Sequence, residues 1–197
     1  MWVLDSGVRV LPWREWVERE RELFERLYGA DVRVDDDGTL VLPFLSRRTL
    51  AALLEDPAVD EPARTRAIEL AVAALEAFHA QGFTHGDAMA ENVMVDLEAA
   101  VARWFDFETV HDEQRTLLWR RSDDLRALLV TCLLRTNRDK VPAAARFMLG
   151  CYQDDGVKRA LAEHFPPVWR RSLTFHLGQA PLTFREYRSL QRAVAAD

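Results

Sequence analysis

The stretch that decides how this chain is read runs from Phe78 to Glu108: FHAQGFTHGDAMAENVMVDLEAAVARWFDFE. It opens on the end of an apolar-striped segment and turns at Gly82. A polar loop, THGDAMAEN over Thr84–Asn92, then precedes two short apolar runs, Val93–Leu97 and Val101–Phe107. Runs of that length flanking a short acidic turn predict a β-hairpin.

Upstream, Pro62 suits the first turn of a helix that runs to Ala80, with Ile68, Ala71, Val72, Leu75 and Phe78 as its buried stripe. A short helix over Thr49–Leu54 stops near Pro57. Val32 and Val34, the turn Asp36-Asp37-Gly38 and the run Leu40–Leu45 predict an earlier hairpin. Before it, Arg14–Tyr28 is helical, with Trp16, Leu23, Phe24 and Leu27 on one face and Gly29 in the stop position. Residues 1–12 predict one or two short strands around Gly7. Downstream, the chain is helical from Asp124, with Leu125, Leu128, Leu129, Cys132 and Leu133 as the first stripe. Further helices are expected near 142–152 and 156–164, a break at Pro166-Pro167 and a last helix at Phe184–Val194. A few strands with one helix, then mostly helices with one embedded hairpin, make an α+β fold.

The 197 residues suit one domain or a small two-lobed one. No apolar run reaches the ~18–20 residues that span a bilayer, and no signal-peptide pattern opens the chain, so the expectation is a cytoplasmic protein without a membrane span. Cys132 and Cys151 are too few for a disulfide framework or a four-thiolate zinc site. The net charge of −6 is uneven: residues 1–100 hold 10 basic and 20 acidic residues, and residues 101–197 hold 16 and 12. An acidic first half argues against a nucleic-acid partner, which wants a continuous basic face. The basic second half could meet an anionic substrate.

The quoted stretch resembles the protein-kinase-like superfamily, whose catalytic loop is H-x-D-x-x-x-x-N and whose metal motif is D-F-G or a relative. His85-Gly86-Asp87 with Asn92 is similar to the loop, Asp106-Phe107-Glu108 to the metal motif with Glu for Gly, and FHAQGFTHGD to the helix end that leads into the loop. The His-Gly-Asp form resembles the atypical and small-molecule branches: aminoglycoside and choline kinases, RIO-type kinases and lipopolysaccharide sugar kinases. The resemblance implies a two-lobed fold, with a reduced N-terminal lobe over residues 1–45 and a mainly helical C-terminal lobe over residues 46–197. It implies ATP and Mg²⁺ as cofactors. Asp87 would orient an acceptor hydroxyl and take its proton late. Asn92 and Asp106, the latter brought back by the hairpin, would offer oxygens to Mg²⁺. His85 would organise the loop backbone. Thr39–Leu50 resembles the hinge between lobes, with the Pro43 carbonyl and the Leu45 N–H facing adenine and Met94 beneath it. Helix Glu15–Tyr28 would carry an ion-pair glutamate, Glu20 or Glu22, with Glu22 taken as the support. Asp123 or Asp124 would brace the loop through its backbone N–H groups.

Three features depart from that family's pattern. No Gly-rich phosphate loop precedes the first strand, and no lysine occurs before Lys140. Arg9 or Arg14 is a candidate replacement, although a planar fork does not reproduce a point ammonium. The segment Thr109–Ser122 lacks the Ala-Pro-Glu motif, which removes the platform for a peptide. The expected activity is therefore transfer of phosphate to a hydroxyl of a small molecule or sugar rather than of a protein. The alternative is a pseudokinase-type binding module, weak or inactive, whose reduced lobe a protein partner completes. A third reading takes His85-x-Asp87 with a distal histidine (His111, His164 or His176) as an iron site.

Overall fold

The computed structural model describes residues 7–45, 48–164, 188 and 190–192. The expectations for residues 1–6, for Ser46 and Arg47 in the hinge, for Pro166-Pro167 and for most of the last helix lie outside the described residues. The fold is α+β. Strand β1 (Val8–Val10) leads into helix α1 (Trp13–Tyr28). Its charged faces leave one stripe to bury, Val17, Glu20, Leu23 and Phe24. Gly29 ends it in the left-handed region at φ 61°, where its N–H reaches the Glu25 carbonyl at 2.9 Å. The hairpin of β2 (Arg33–Val34) and β3 (Leu40–Val41) closes through Asp35 N–H on the Thr39 carbonyl at 2.9 Å.

Helix α2 (Leu50–Glu55) starts where the Thr49 hydroxyl accepts the Ala52 N–H, and helix α3 (Glu61–Ala80) where the Asp60 carboxylate accepts the Ala63 N–H. The antiparallel pair β4 (Val93–Asp96) and β5 (Val101–Trp104) packs against α3. Alternation along β4 sends Val93 and Val95 into the core and leaves Met94 and Asp96 half-buried on the other face. Helices α4 (Leu117–Leu133), α5 (Val141–Cys151) and α6 (Asp155–Leu161) complete the helical body. The core joins Leu50, Ile68, Leu75, Phe78, Trp104, Leu125, Leu128 and Met148. Burying each large apolar side chain there stabilises the fold by ~1.5–3 kcal/mol.

Three details differ from the sequence expectation. Strand β5 stops at Trp104 rather than Phe107, because Asp106 takes φ 65° and turns the backbone out of the ladder. The chain then forms a strand that the pattern did not announce, β6 (Thr109–His111), too short for a period-two signal. Helix α4 begins at Leu117 instead of Asp124: Thr116 caps it, and its first two turns mix Leu117, Leu118 and Trp119 with charged residues in no clear stripe. Strand β1 does not join β2 or β3. It pairs antiparallel with β6, Val8 opposite His111 and Val10 opposite Thr109, and Leu11 N–H on the Glu108 carbonyl at 2.7 Å extends the ladder. Among the described residues, no helix is long and apolar enough to cross a membrane.

Candidate functional site

The loop between α3 and β4 is fixed from below by Asp124 on α4. Its carboxylate is fully buried and accepts the His85 N–H at 2.7 Å and the Gly86 N–H at 2.9 Å. On its other side it accepts His79 Nε2 at 3.0 Å, and the other His79 nitrogen faces the Tyr152 hydroxyl at 2.6 Å. Burial works against the Asp124 charge, but the facing His111 and His79 outweigh it and hold the carboxyl below its usual range. Asp123 is engaged beside it, by Arg126 at 2.7 Å, His111 at 3.4 Å and His164 at 3.4 Å. Gly86 cannot carry a side chain: at φ 89°, a Cβ would stand 2.7 Å from the Thr109 carbonyl oxygen. Loop and β6 thus touch backbone to backbone.

His85 is fully buried and its ring is committed on both sides. Nε2 donates to the Phe105 carbonyl at 3.0 Å, and Nδ1 accepts the Asp87 N–H at 3.3 Å. Burial lowers its pKa to about 4, so the ring is neutral at pH 7. With both nitrogens engaged it has no lone pair for a metal, and among the described residues no cluster of three His, Cys, Asp or Glu side chains is arranged to hold one. His85 therefore offers no ligand to the iron reading, and His176, one of its distal candidates, lies outside the described residues. Phe107 packs under the same loop, stacked on Phe78 at 5.6 Å and edge-on to Phe24 at 6.3 Å.

Asp87 and Asn92 meet. Asn92 donates through Nδ2 to the Asp87 carbonyl at 2.9 Å and to Asp87 Oδ2 at 3.1 Å. The other oxygen, Oδ1, is buried with no hydrogen-bond partner among the described residues. Burial raises the Asp87 carboxyl to a pKa of about 6, the Asn92 bond pulls the other way, and the charges of Asp106, Glu108 and Glu91 push further up. Asp106 is also raised, by burial and then by Glu108. The Asp106 backbone at φ 65° is unusual for a residue with a side chain and costs ~1–3 kcal/mol. Glu20 holds it there. Its buried carboxylate accepts the Asp106 N–H at 3.0 Å, the Phe107 N–H at 2.8 Å and the Trp16 indole N–H at 3.1 Å. Burial raises the Glu20 pKa in spite of these three donors.

This corrects the choice of Glu22 as supporting residue. Glu22 is exposed; the buried stripe of α1 passes through Glu20, three residues after Val17 and three before Leu23. The hinge residues Pro43 and Leu45 are half-buried beside an exposed Phe44. Among the described residues, neither the Pro43 carbonyl nor the Leu45 N–H has a hydrogen-bond partner, while the Leu45 carbonyl accepts Arg103 Nη1 at 3.0 Å. Met94 lies on the same face of β4 as Asn92, bridged to Thr49. Arg9 is exposed and faces Glu15 at 3.4 Å. Two contributors escaped the sequence reading. Arg19 donates to the Thr84 carbonyl at 3.0 Å, and the Thr131 hydroxyl accepts the Ala90 N–H at 3.0 Å. A lone hydroxyl amid the apolar run of α4 was the available signal for Thr131; nothing marked Arg19 among its charged neighbours.

What the residues offer is a carboxylate with one unpartnered oxygen, an amide fixed against it, and a second carboxylate on a clamped turn. Such a set can orient a hydroxyl and share a hard cation with phosphate oxygens. The chain matches no protein-family model and no curated protein sequence.

Proposed function

We propose that the chain is an ATP- and Mg²⁺-dependent phosphotransferase of protein-kinase-like, two-lobed architecture, acting on a hydroxyl of a small molecule or sugar. The observation that carries the reading is Asp87, whose Oδ1 is buried and unpartnered among the described residues while Asn92 holds Oδ2. A buried acceptor without a donor costs ~1–3 kcal/mol, and an acceptor hydroxyl supplies that donor. A carboxyl with a pKa of about 6 sits near working pH, where a general base is most effective.

In this mechanism, Asp87 Oδ1 accepts the hydrogen bond of the substrate hydroxyl. It takes the proton as the new O–P bond forms and the bond to the leaving oxygen breaks. Asn92 orients Asp87 and, with Asp106, would offer oxygens to Mg²⁺, which would supply charge neutralisation on the phosphates. Glu20 sets the Asp106 turn, and Asp124 sets the loop. Pro43 and Leu45 present a free carbonyl and a free N–H to a nucleotide base, with Met94 beneath.

One observation favours the binding-module alternative. Lys140 pairs with Glu61 and Lys158 with Asp155, so neither lysine stands in for the family's phosphate-binding one. Transfer from γ-labelled ATP with Mg²⁺ to a panel of sugars and amino alcohols, compared with Asp87→Asn, tests the proposal. Turnover lost in Asp87→Asn supports it, and equal background in both defeats it. Saturable Mg-ATP binding without turnover selects the alternative.

A further inference from the structure

A concavity opens on the β6 side of the loop, and none of Asp87, Asn92 and Asp106 lines it. It is a groove of about 880 Å³ between β1, α1 and β6, with Arg9, Arg19 and Arg120 on its walls and Leu11 and Val110 between them. Acidic residues line it too, and two of the three are engaged: Glu15 with Arg9 at 3.4 Å, and Asp112 with the Gln114 N–H at 2.9 Å. Glu113 is exposed.

The two deeper arginines are different. The Arg120 guanidinium is half-buried and enters no hydrogen bond or ion pair among the described residues. Its Nε is buried without an acceptor. The Arg19 Nε is buried without an acceptor among the described residues as well; its guanidinium donates to the Thr84 carbonyl, and the charges of Glu22, Asp124 and Glu20 act on it without a carboxylate hydrogen bond among those residues. Each buried donor left unmatched costs ~1–3 kcal/mol, so two of them on one groove mark a place built for acceptor oxygens. Guanidinium forks match phosphate oxygens two at a time, and they keep their charge at every working pH.

We propose that this groove binds a phosphate monoester, its phosphate on Arg19 and Arg120 and its body against Leu11 and Val110. The inference is independent of the phosphotransferase reading, because the groove and the Asp87 cluster share no residue. It does adjoin that cluster in sequence. Arg19 precedes Glu20, which clamps Asp106, and Thr84 precedes His85. Occupancy therefore stiffens both supports of the loop.

The experiment titrates the full chain, free of Mg²⁺ and nucleotide, with inorganic phosphate and with glycerol 3-phosphate by calorimetry, using glycerol and acetate at matched ionic strength as controls. Saturable binding of both phosphates is expected, with glycerol 3-phosphate tighter, weakened as salt rises. Arg120→Ala should weaken it at least tenfold, while Arg66→Ala, on α3, outside the groove's lining and paired with Glu69, leaves it unchanged. Arg120 has no hydrogen-bond or ion-pair partner among the described residues to lose, so its variant should keep the wild-type circular dichroism; Arg120→Gln gives the same reading if Arg120→Ala does not fold. Unchanged affinity in the Arg120 variant, acetate binding as well as phosphate, or no saturable binding overturns the proposal. A loss in Asp106→Asn with none in Arg120→Ala puts the phosphate in the nucleotide cleft and overturns it as well.

Discussion

The segment from Phe78 to Asp124 and the segment from Gly7 to Leu45 are held by different means. In the first, buried polar groups answer one another: Asp124 with two loop N–H groups and His79, Asp123 with Arg126, and His85 with a carbonyl and an N–H. In the second, the strands are two or three residues long, Val10, Val34 and Phe44 are exposed, and the arginine of β1 makes a surface pair. What ties the second to the first is the ladder of β1 with β6 together with α1, the latter through the apolar Phe24 and the carboxylate of Glu20. A site whose loop must stay rigid can rest on the bonds that Asp124 and His85 make, while the covering segment is free to be small.

Breaking the network should have the largest effect. Asp124→Ala leaves two loop N–H groups and His79 without their acceptor in a dry site, at a cost of about 3–5 kcal/mol. Urea denaturation should show it, and a cost below 1 kcal/mol would mean that the loop stands without its brace. Acid should come next. The unfolded His85 ring binds a proton below about pH 6.5, whereas the folded ring stays neutral to about 4. The stability it contributes is present above pH 6.5 and lost as pH falls to 4, ~3 kcal/mol in all. Asp87 works in the opposite sense between about pH 4 and 6, because its folded pKa is raised. Asp87→Asn should therefore fall more steeply with acid than the wild type in denaturation series.

Smaller still is Glu20→Gln, which weakens charge-assisted bonds to Asp106 and Phe107 while keeping the shape. A loss of about 1–2 kcal/mol is expected, with amide exchange faster at Asp106 and Phe107 and unchanged at His85. The smallest effect belongs to Phe44→Ala, within about 0.5 kcal/mol by thermal melting, since the ring is 80% exposed. A large loss there would erase the contrast between the two segments.

Helices α1, α2 and α3 were legible in the sequence because stripe and stops agree, whereas the first two turns of α4 were not. Thr49, Asp60 and Gly29 stand where the helix ends fall. The hairpin and the nearness of Asp87 to Asn92 were legible because both are local. What was not legible depends on contacts between distant segments. Nothing in Thr-Val-His announces a strand until Val8–Val10 lies beside it. The choice between Glu20 and Glu22 turns on which face of α1 meets Phe107, a fact of packing and not of composition.

The pairing of β1 with β6 also sets an order of events. Val8 and His111 are separated by roughly a hundred residues, so their ladder waits on a long loop closure. On a ribosome adding ~5–20 residues each second, the first strand is exposed for several seconds before its partner exists. Strand β1 is thus the last strand to find its partner, and the groove walled by Arg9 and Val110 is born only once β6 has been made.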